Sequence, residues 1–287
     1  MSNTREPQLG VAVGKRGIGK TYETVNNTIE GYLTGYGGQA KPRRVLILDV
    51  NDEFTQYKAI ALSDVGKFSR HPTIEARRIR PFNPDGTKMT LRDIVDTLFE
   101  VLDKFKGGLL LIEDINKYLT VHLPKDVVGA ICTNRHNDMD IIIHYQAIGK
   151  VPTTVWENVN WIRFHKNNQS VDRHEKKFED RYEIVKIAEC MVNNQYDNGN
   201  ERFFVFIDLD YNVIRGKMTP QVKEFAVIQY MEENYKTVVK PEVEAVDLDG
   251  VKKYTNPRDA ANKIKADLLA KYFEGNTQSK DGHDKEF

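Results

Sequence analysis

Gly14-Lys15-Arg16-Gly17-Ile18-Gly19-Lys20-Thr21 is the stretch whose residue types and spacing most directly imply chemistry. It fits G-x-x-x-x-G-K-S/T. In that pattern glycines let the backbone wrap so that successive N–H groups face phosphate oxygens, and the start of a following helix adds positive potential. On this reading Lys20 reaches the β- and γ-phosphates of a nucleotide and the Thr21 hydroxyl ligates Mg²⁺. The expected nucleotide-binding set is Gly14, Lys15, Arg16, Gly17, Ile18, Gly19, Lys20, Thr21 and Tyr22. No N-K-x-D guanine signature occurs, which favours ATP.

A second candidate is Leu109-Leu110-Leu111-Ile112-Glu113-Asp114, an apolar run that ends in two acids. It is similar to a Walker B strand, whose acidic end holds the Mg²⁺ water shell and in many families polarises an attacking water. The usual order is Asp then Glu, and here it is inverted. By position Glu113 serves the metal and Asp114 acts as the base. The shorter base either slows hydrolysis or exchanges the two roles.

The elements that must hold these residues are legible in the periodicity. Leu9 to Val13 is a short apolar strand ahead of the glycine loop. Lys20 to Leu33 reads as a helix with Tyr22, Val25, Ile29 and Leu33 on one face. Arg44 to Asp49 and Leu109 to Ile112 are continuous apolar strands of the kind buried on both faces of a parallel sheet. Glu75 to Pro81 is a shorter strand. Thr90 to Phe105 is an amphipathic helix capped by Thr90, with Leu91, Ile94, Val95, Leu98, Val101 and Leu102 inward. A helix starts at Pro124, followed by a strand at Asp140 to Tyr145, a short helix at Thr153 to Val159 and a strand at Trp161 to Phe164. Beyond His165 the pattern gives a partly helical charged stretch at Asp172 to Asn194, a β-hairpin over 203–217 and helices at Gln221 to Tyr235 and Arg258 to Tyr272. Alternating strands and helices predict an α/β, three-layer fold with a mainly parallel sheet, plus a C-terminal β-hairpin and helices. The expected division is an ATPase domain over 1–240 (core 8–166, elaboration 167–240) and a charged helix with a flexible tail over 241–287.

The 287 residues carry zero formal net charge, so any polyanion site must be a local patch. Arg70, Arg77, Arg78, Arg80, Lys67 and Lys88 form one candidate. They either track a phosphate backbone or lie as alternate residues of a solvent-facing edge strand. Cys132 and Cys190 lack metal-ligand spacing and are expected reduced. His122, His136, His144 and His165 show no such spacing either, and no role is expected of them. The polar start, Met1 to Gln8, and the lack of a long apolar run predict a soluble intracellular protein without membrane insertion.

An intact strand, Arg44 to Asp49, separates the glycine loop from the Glu113 strand, as in the additional-strand, RecA-like class of P-loop NTPases. Leu48-Asp49-Val50-Asn51-Asp52-Glu53-Phe54 resembles the D-x-x-x-E-F/Y stretch of the FtsK–HerA superfamily. The segment from Thr133 through Arg135 to Gln146 is similar to that superfamily's arginine-led strand ending in glutamine. The resemblance covers Leu9 to about His165. Asn134 stands where the superfamily has glycine, and Tyr145 where it has a small hydroxyl residue.

The resemblance implies that Gln146 is a polar sensor near the γ-phosphate and that Arg135 acts on a nucleotide in its own or a neighbouring subunit. It further implies an ATP-driven motor of the viral genome-packaging or Zot-like branch. Such a motor is a homo-oligomeric ring of five or six subunits that moves DNA, in the host cytoplasm or on a virion, with a portal or capsid protein as a further partner. Other readings are a AAA+ loader, a Zot-like assembly or secretion ATPase, and a nucleotide-gated scaffold with slow hydrolysis.

Overall fold

The computed structural model describes residues 6–114, 129–131 and 137–274. The expected helix start at Pro124 and the polar tail over 275–287 lie outside them. The chain divides into two compact units, Met1–Ile162 with Asn167–Gln169, and Arg163–Lys166 with Ser170–Phe287.

The first unit is built on parallel strands. In chain order they are β1 (Leu9–Val13), β2 (Arg44–Leu48), β3 (Lys58–Ala59), β4 (Ala76–Ile79), β5 (Gly108–Ile112) and β6 (Met139–Tyr145). Their spatial order is β3-β4-β2-β5-β6-β1, with every neighbouring pair parallel. The β1 strand is therefore separated from β5 by β6, which is the additional-strand arrangement. β7 (Trp161–His165) begins in this unit beside β1, and a Cβ at Gly10 would strike the Trp161 ring at 2.1 Å.

Both alternations of the central strands are buried. Val45, Ile47, Leu109, Leu111 and Ile142 pack with Ile29 and Tyr32 of the helical run that follows the glycine loop. Leu46, Leu48, Leu110, Ile112, Ile141 and Ile143 are as deeply buried on the other face. A strand hidden on both faces needs a layer of helices on each, so the three-layer α/β architecture follows. That first helical run is α-helical over Lys20–Glu23, wider and π-helical over Thr24–Ile29, and α-helical again over Glu30–Gly38, whose end turns left-handed at Gly35, Tyr36 and Gly37. The helix Leu91–Lys104 starts on a capping box in which Thr90 and Asp93 satisfy each other's backbone N–H groups. Leu91, expected inward, is exposed at this first turn, before the buried stripe of Ile94, Leu98, Val101 and Leu102 begins.

Asp140, at the amino end of β6, is buried and accepts from Tyr32 Oη at 2.7 Å, Arg43 Nη1 at 2.9 Å and the Gln8 N–H at 2.7 Å. A buried carboxylate tolerates that position only because each of these donors reaches it.

The second unit contains the helix Tyr182–Asp197, the antiparallel hairpin of β8 (Phe204–Asp208) and β9 (Val213–Arg215), and the helices Pro220–Glu233 and Pro257–Leu269. Lys186 is buried there among carboxylates, with Glu233 at 2.8 Å, Asp172 at 2.9 Å and Glu189 at 3.0 Å. Burial pushes the neighbouring Cys190 thiol up to about 12, which fits an inert core cysteine. The charged C-terminal segment contributes to this core. Ala260, Leu268 and Tyr272 are buried, and Tyr272 and Lys271 both bond to Glu183. No helix among the described residues is long and apolar enough to cross a membrane.

Candidate phosphate-binding site

In an open parallel sheet a crevice forms outside the carboxyl ends of the strands where neighbouring crossovers leave in opposite directions, as those of β1 and β6 do here. The glycine loop leaves β1, Asp49 follows β2, Glu113 and Asp114 follow β5, and Gln146 follows β6. The strand order thus brings together at one sheet edge residues that lie far apart in sequence.

The loop over Gly14–Gly19 is anchored at its start by the Gly14 N–H donating to the Tyr145 carbonyl at 3.2 Å. Ile18 is buried in its middle, while Arg16 and Gly17 are exposed. Gly17 and Gly19 have φ of 78° and 92°, a left-handed backbone that residues with a Cβ rarely adopt. No side chain caps the helical run that begins at Lys20, and a helix N-terminus is a favourable place for an anion. Lys20 is buried, and its Nζ donates to the Gly14 carbonyl at 2.6 Å and the Lys15 carbonyl at 3.0 Å. The ammonium is thus held over the loop that would receive the phosphates. Tyr22, expected on the packed face of the helix, is instead 59 % exposed. Its position next to Thr21 leaves the ring at the solvent side of the loop.

Glu113 and Asp114 are both buried at the end of β5 and face different partners. Thr21 Oγ1 donates to Glu113 Oε1 across 3.5 Å. Asp114 has φ of 52°, and Gln146 Nε2 donates to both of its carboxylate oxygens, at 2.8 and 2.7 Å. Asn51 Nδ2 adds a longer bond of 3.4 Å to Asp114 Oδ2. Thr21 and Glu113 fit a magnesium ion held in the usual protein manner, by one or two oxygen groups with water and phosphate oxygens completing the shell. The described residues contain no cluster of three or more His, Cys, Asp or Glu able to hold a metal by themselves.

Two features were not predicted from the sequence. His144 is buried between Glu113 and the helix, with Nδ1 2.6 Å from Glu113 Oε2 and Nε2 2.9 Å from Thr24 Oγ1. The signal lies in strand register. Because Ile112 pairs with Ile143, the next residues, Glu113 and His144, fall side by side. Asn51 is the other, visible only once the loop after β2 closes over Asp114.

Asp49 and the arginine cluster serve the scaffold. Asp49 is fully buried and accepts from the Glu53 N–H at 2.9 Å, the Phe54 N–H at 3.0 Å and Arg78 Nη1 at 2.8 Å. Arg78 also pairs with Asp52, Arg80 pairs with Asp52 at 3.1 Å, and Arg77 pairs with Glu75 at 2.8 Å. Hydrogen bonds from Arg80 foremost, and then from Arg78, hold the Asp52 carboxyl below its usual range. The guanidinium groups of Arg77, Arg78 and Arg80 each pair with a carboxylate of the chain. Arg135 lies outside the described residues.

No family model matches the chain, and no curated protein sequence matches it. Among solved structures, the chain is similar to the genome packaging NTPase B204 from Sulfolobus turreted icosahedral virus 2 in complex with ATP-gammaS. That match has 14 % identity and a TM-score of 0.49, covering 73 % of this chain and 95 % of that one. The N-terminal domain of zonular occludens toxin from Neisseria meningitidis matches at 14 % identity and a TM-score of 0.33, over 57 % of this chain and 79 % of that one. The assembled ATPase EscN from the enteropathogenic E. coli type III secretion system matches at 9 % identity and a TM-score of 0.33, over 90 % of this chain and 67 % of that one.

Proposed function

We propose that this chain binds ATP with Mg²⁺ at Gly14–Thr21 and hydrolyses the γ-phosphate. The observation that carries the reading is the meeting of Lys20 and Thr21, at the start of the helix after the glycine loop, with Glu113 and Asp114 at the end of β5 and Gln146 at the end of β6. Backbone N–H groups of the loop and the Lys20 ammonium take up phosphate charge. When bound, the magnesium ion neutralises charge on the β- and γ-phosphates. Glu113, beside Thr21, orients the water shell of that ion. Asp114 is the general base, and Gln146 sets the direction of its carboxylate. In this state Gln146 engages both Asp114 oxygens, which leaves an attacking water the remaining lone pairs of the carboxylate.

The motor reading extends this proposal. The ordered motifs from Leu9 to about His165 resemble those of ring-forming DNA translocases, which supports a homo-oligomer that moves DNA, with Arg135 supplied to a neighbour's nucleotide. Phosphate release measured with and without double-stranded DNA, alongside sedimentation in ATP, tests it. The expected result is assembly together with DNA-stimulated turnover. Turnover by a monomer that ignores DNA would refute the motor and leave the ATPase. Mixing Arg135→Ala with Lys20→Ala subunits tests the shared site, since only a residue acting in trans restores turnover in mixed rings. A slow, nucleotide-gated scaffold is the second reading, favoured by the two hydrogen bonds by which Gln146 already engages the shortened base.

A further inference from the structure

His144 belongs to none of the motifs that define the site, yet it occupies its floor. Its imidazole joins two elements that the proposed chemistry requires to move or stay together. One is the acid at the end of β5. The other is the helical run that starts at Lys20. The contacts form a closed ring: Thr21 Oγ1 to Glu113 Oε1 at 3.5 Å, Glu113 Oε2 to His144 Nδ1 at 2.6 Å, and His144 Nε2 to Thr24 Oγ1 at 2.9 Å. The helix closes the ring, because Thr21 and Thr24 are three residues apart and lie on the same side of it.

Four physical points make this more than core packing. His144 and Glu113 are both almost completely buried, where a carboxylate that lacks an ordered partner is costly. An ionised carboxylate only accepts, so Nδ1 carries the proton when it faces Glu113, and Nε2 of the neutral ring is then free to accept from the Thr24 hydroxyl. One tautomer therefore satisfies both neighbours. The Nδ1 to Oε2 approach has the length of a charge-assisted bond without its ideal direction. Thr24 is also the first residue of the π-helical segment Thr24–Ile29, and such widened turns recur at functional sites.

We infer that His144 is a positioning residue. Through Nδ1 it fixes the rotamer of Glu113, so that the other carboxylate oxygen faces Thr21 and the magnesium water shell. Through Nε2 it ties that rotamer to the phosphate-binding helix. The inference rests on the proposed Mg²⁺-dependent ATPase reading and deepens it. Sensing of the metal-bearing nucleotide would pass from the helix to the acid through one imidazole.

The test uses two polar substitutions of the full chain. In His144→Asn the amide nitrogen can occupy the place of Nδ1 and reach Glu113. In His144→Gln it can occupy the place of Nε2 and reach only Thr24. Groups that orient metal-facing ligands change metal affinity or activity by about 10–100-fold when removed. Anisotropy titrations of a fluorescent ADP, with and without Mg²⁺, read the effect separately from turnover. The expected result is equal metal-free affinity in both variants. His144→Gln should lose about tenfold more of the Mg²⁺-dependent tightening than His144→Asn, with kcat following the same order. If the two variants behave alike, including failure of both to fold, His144 is a packing residue and the inference is overturned. If the parental protein binds the nucleotide with no response to Mg²⁺, the nucleotide reading beneath it fails first.

Discussion

Gln146 Nε2 lies 2.8 and 2.7 Å from the two carboxylate oxygens of Asp114, a residue whose backbone is left-handed at φ 52°. The two acids at the end of β5 are thereby given different surroundings, one beside a hydroxyl and an imidazole, the other beside an amide. If Asp114 is the base, Asp114→Asn should keep nucleotide binding and lose about 10²–10⁴-fold in turnover, the span of general base catalysis. Glu113→Gln should chiefly weaken the Mg²⁺ dependence of binding. Calorimetry and phosphate release on both variants decide the assignment, and the opposite pattern would exchange the roles.

Lys20 makes its contacts to the loop's own carbonyls, at 2.6 and 3.0 Å. Its ammonium offsets phosphate charge that backbone amides cannot neutralise. Lys20→Ala should fold normally and bind Mg²⁺-ATP too weakly to detect. Retained affinity in a variant with parental circular dichroism would refute the phosphate-binding assignment.

Asp49 receives three donors at zero exposure, and its removal leaves Arg78 with Asp52 as its remaining carboxylate partner. Breaking a buried pair from one side costs about 3–5 kcal/mol. Asp49→Ala should therefore lower the denaturant midpoint sharply, and the loss should be seen whether or not nucleotide is present. A variant that melts like the parent but no longer binds nucleotide would return Asp49 to the site.

In the second unit, burial works to raise the Glu183 carboxyl, but hydrogen bonds from Lys271, Tyr272 and Tyr230 together outweigh it and hold the group below its usual range. A depressed carboxylate contributes stability above its unfolded pKa and loses it as pH falls through the folded value. Tyr272→Phe should cost about 1.5–3 kcal/mol at neutral pH, the worth of a hydrogen bond to a charged group. The gap from the parent should narrow below about pH 4, near the unfolded glutamate value. Truncation after Lys240 should destabilise the second unit further, because it strips Glu183 of two donors and removes buried Leu268. Melting curves of the two variants across pH 3–7 test both statements.

The strands and the glycine loop are legible in the sequence because their signals are local. A continuous apolar run marks each central strand, and the loop motif carries its own geometry. The pairing of Arg78 with Asp49 depends on β4 lying against β2, and the contact between His144 and Glu113 depends on parallel register, so neither is written in one segment. Tyr22 and Leu91 show the limit of helical periodicity, since a residue in the first turn can satisfy the spacing and still face water. The C-terminal helix is a different case. Ala260, Ile264, Leu268 and Tyr272 recur every four residues, a packing stripe that the high charge of the surrounding segment obscures.

The seat of Trp161 over Gly10 has a practical consequence. The chain has two tryptophans, and both Trp156 and Trp161 belong to the first unit. Intrinsic tryptophan emission will therefore follow the melting of the nucleotide-binding sheet alone, while far-ultraviolet circular dichroism follows the helices of both units. Coincident curves from the two probes would mean one cooperative transition, and separated curves would give each unit its own midpoint. The protein thus carries a built-in reporter for whether the two halves of the chain come apart together.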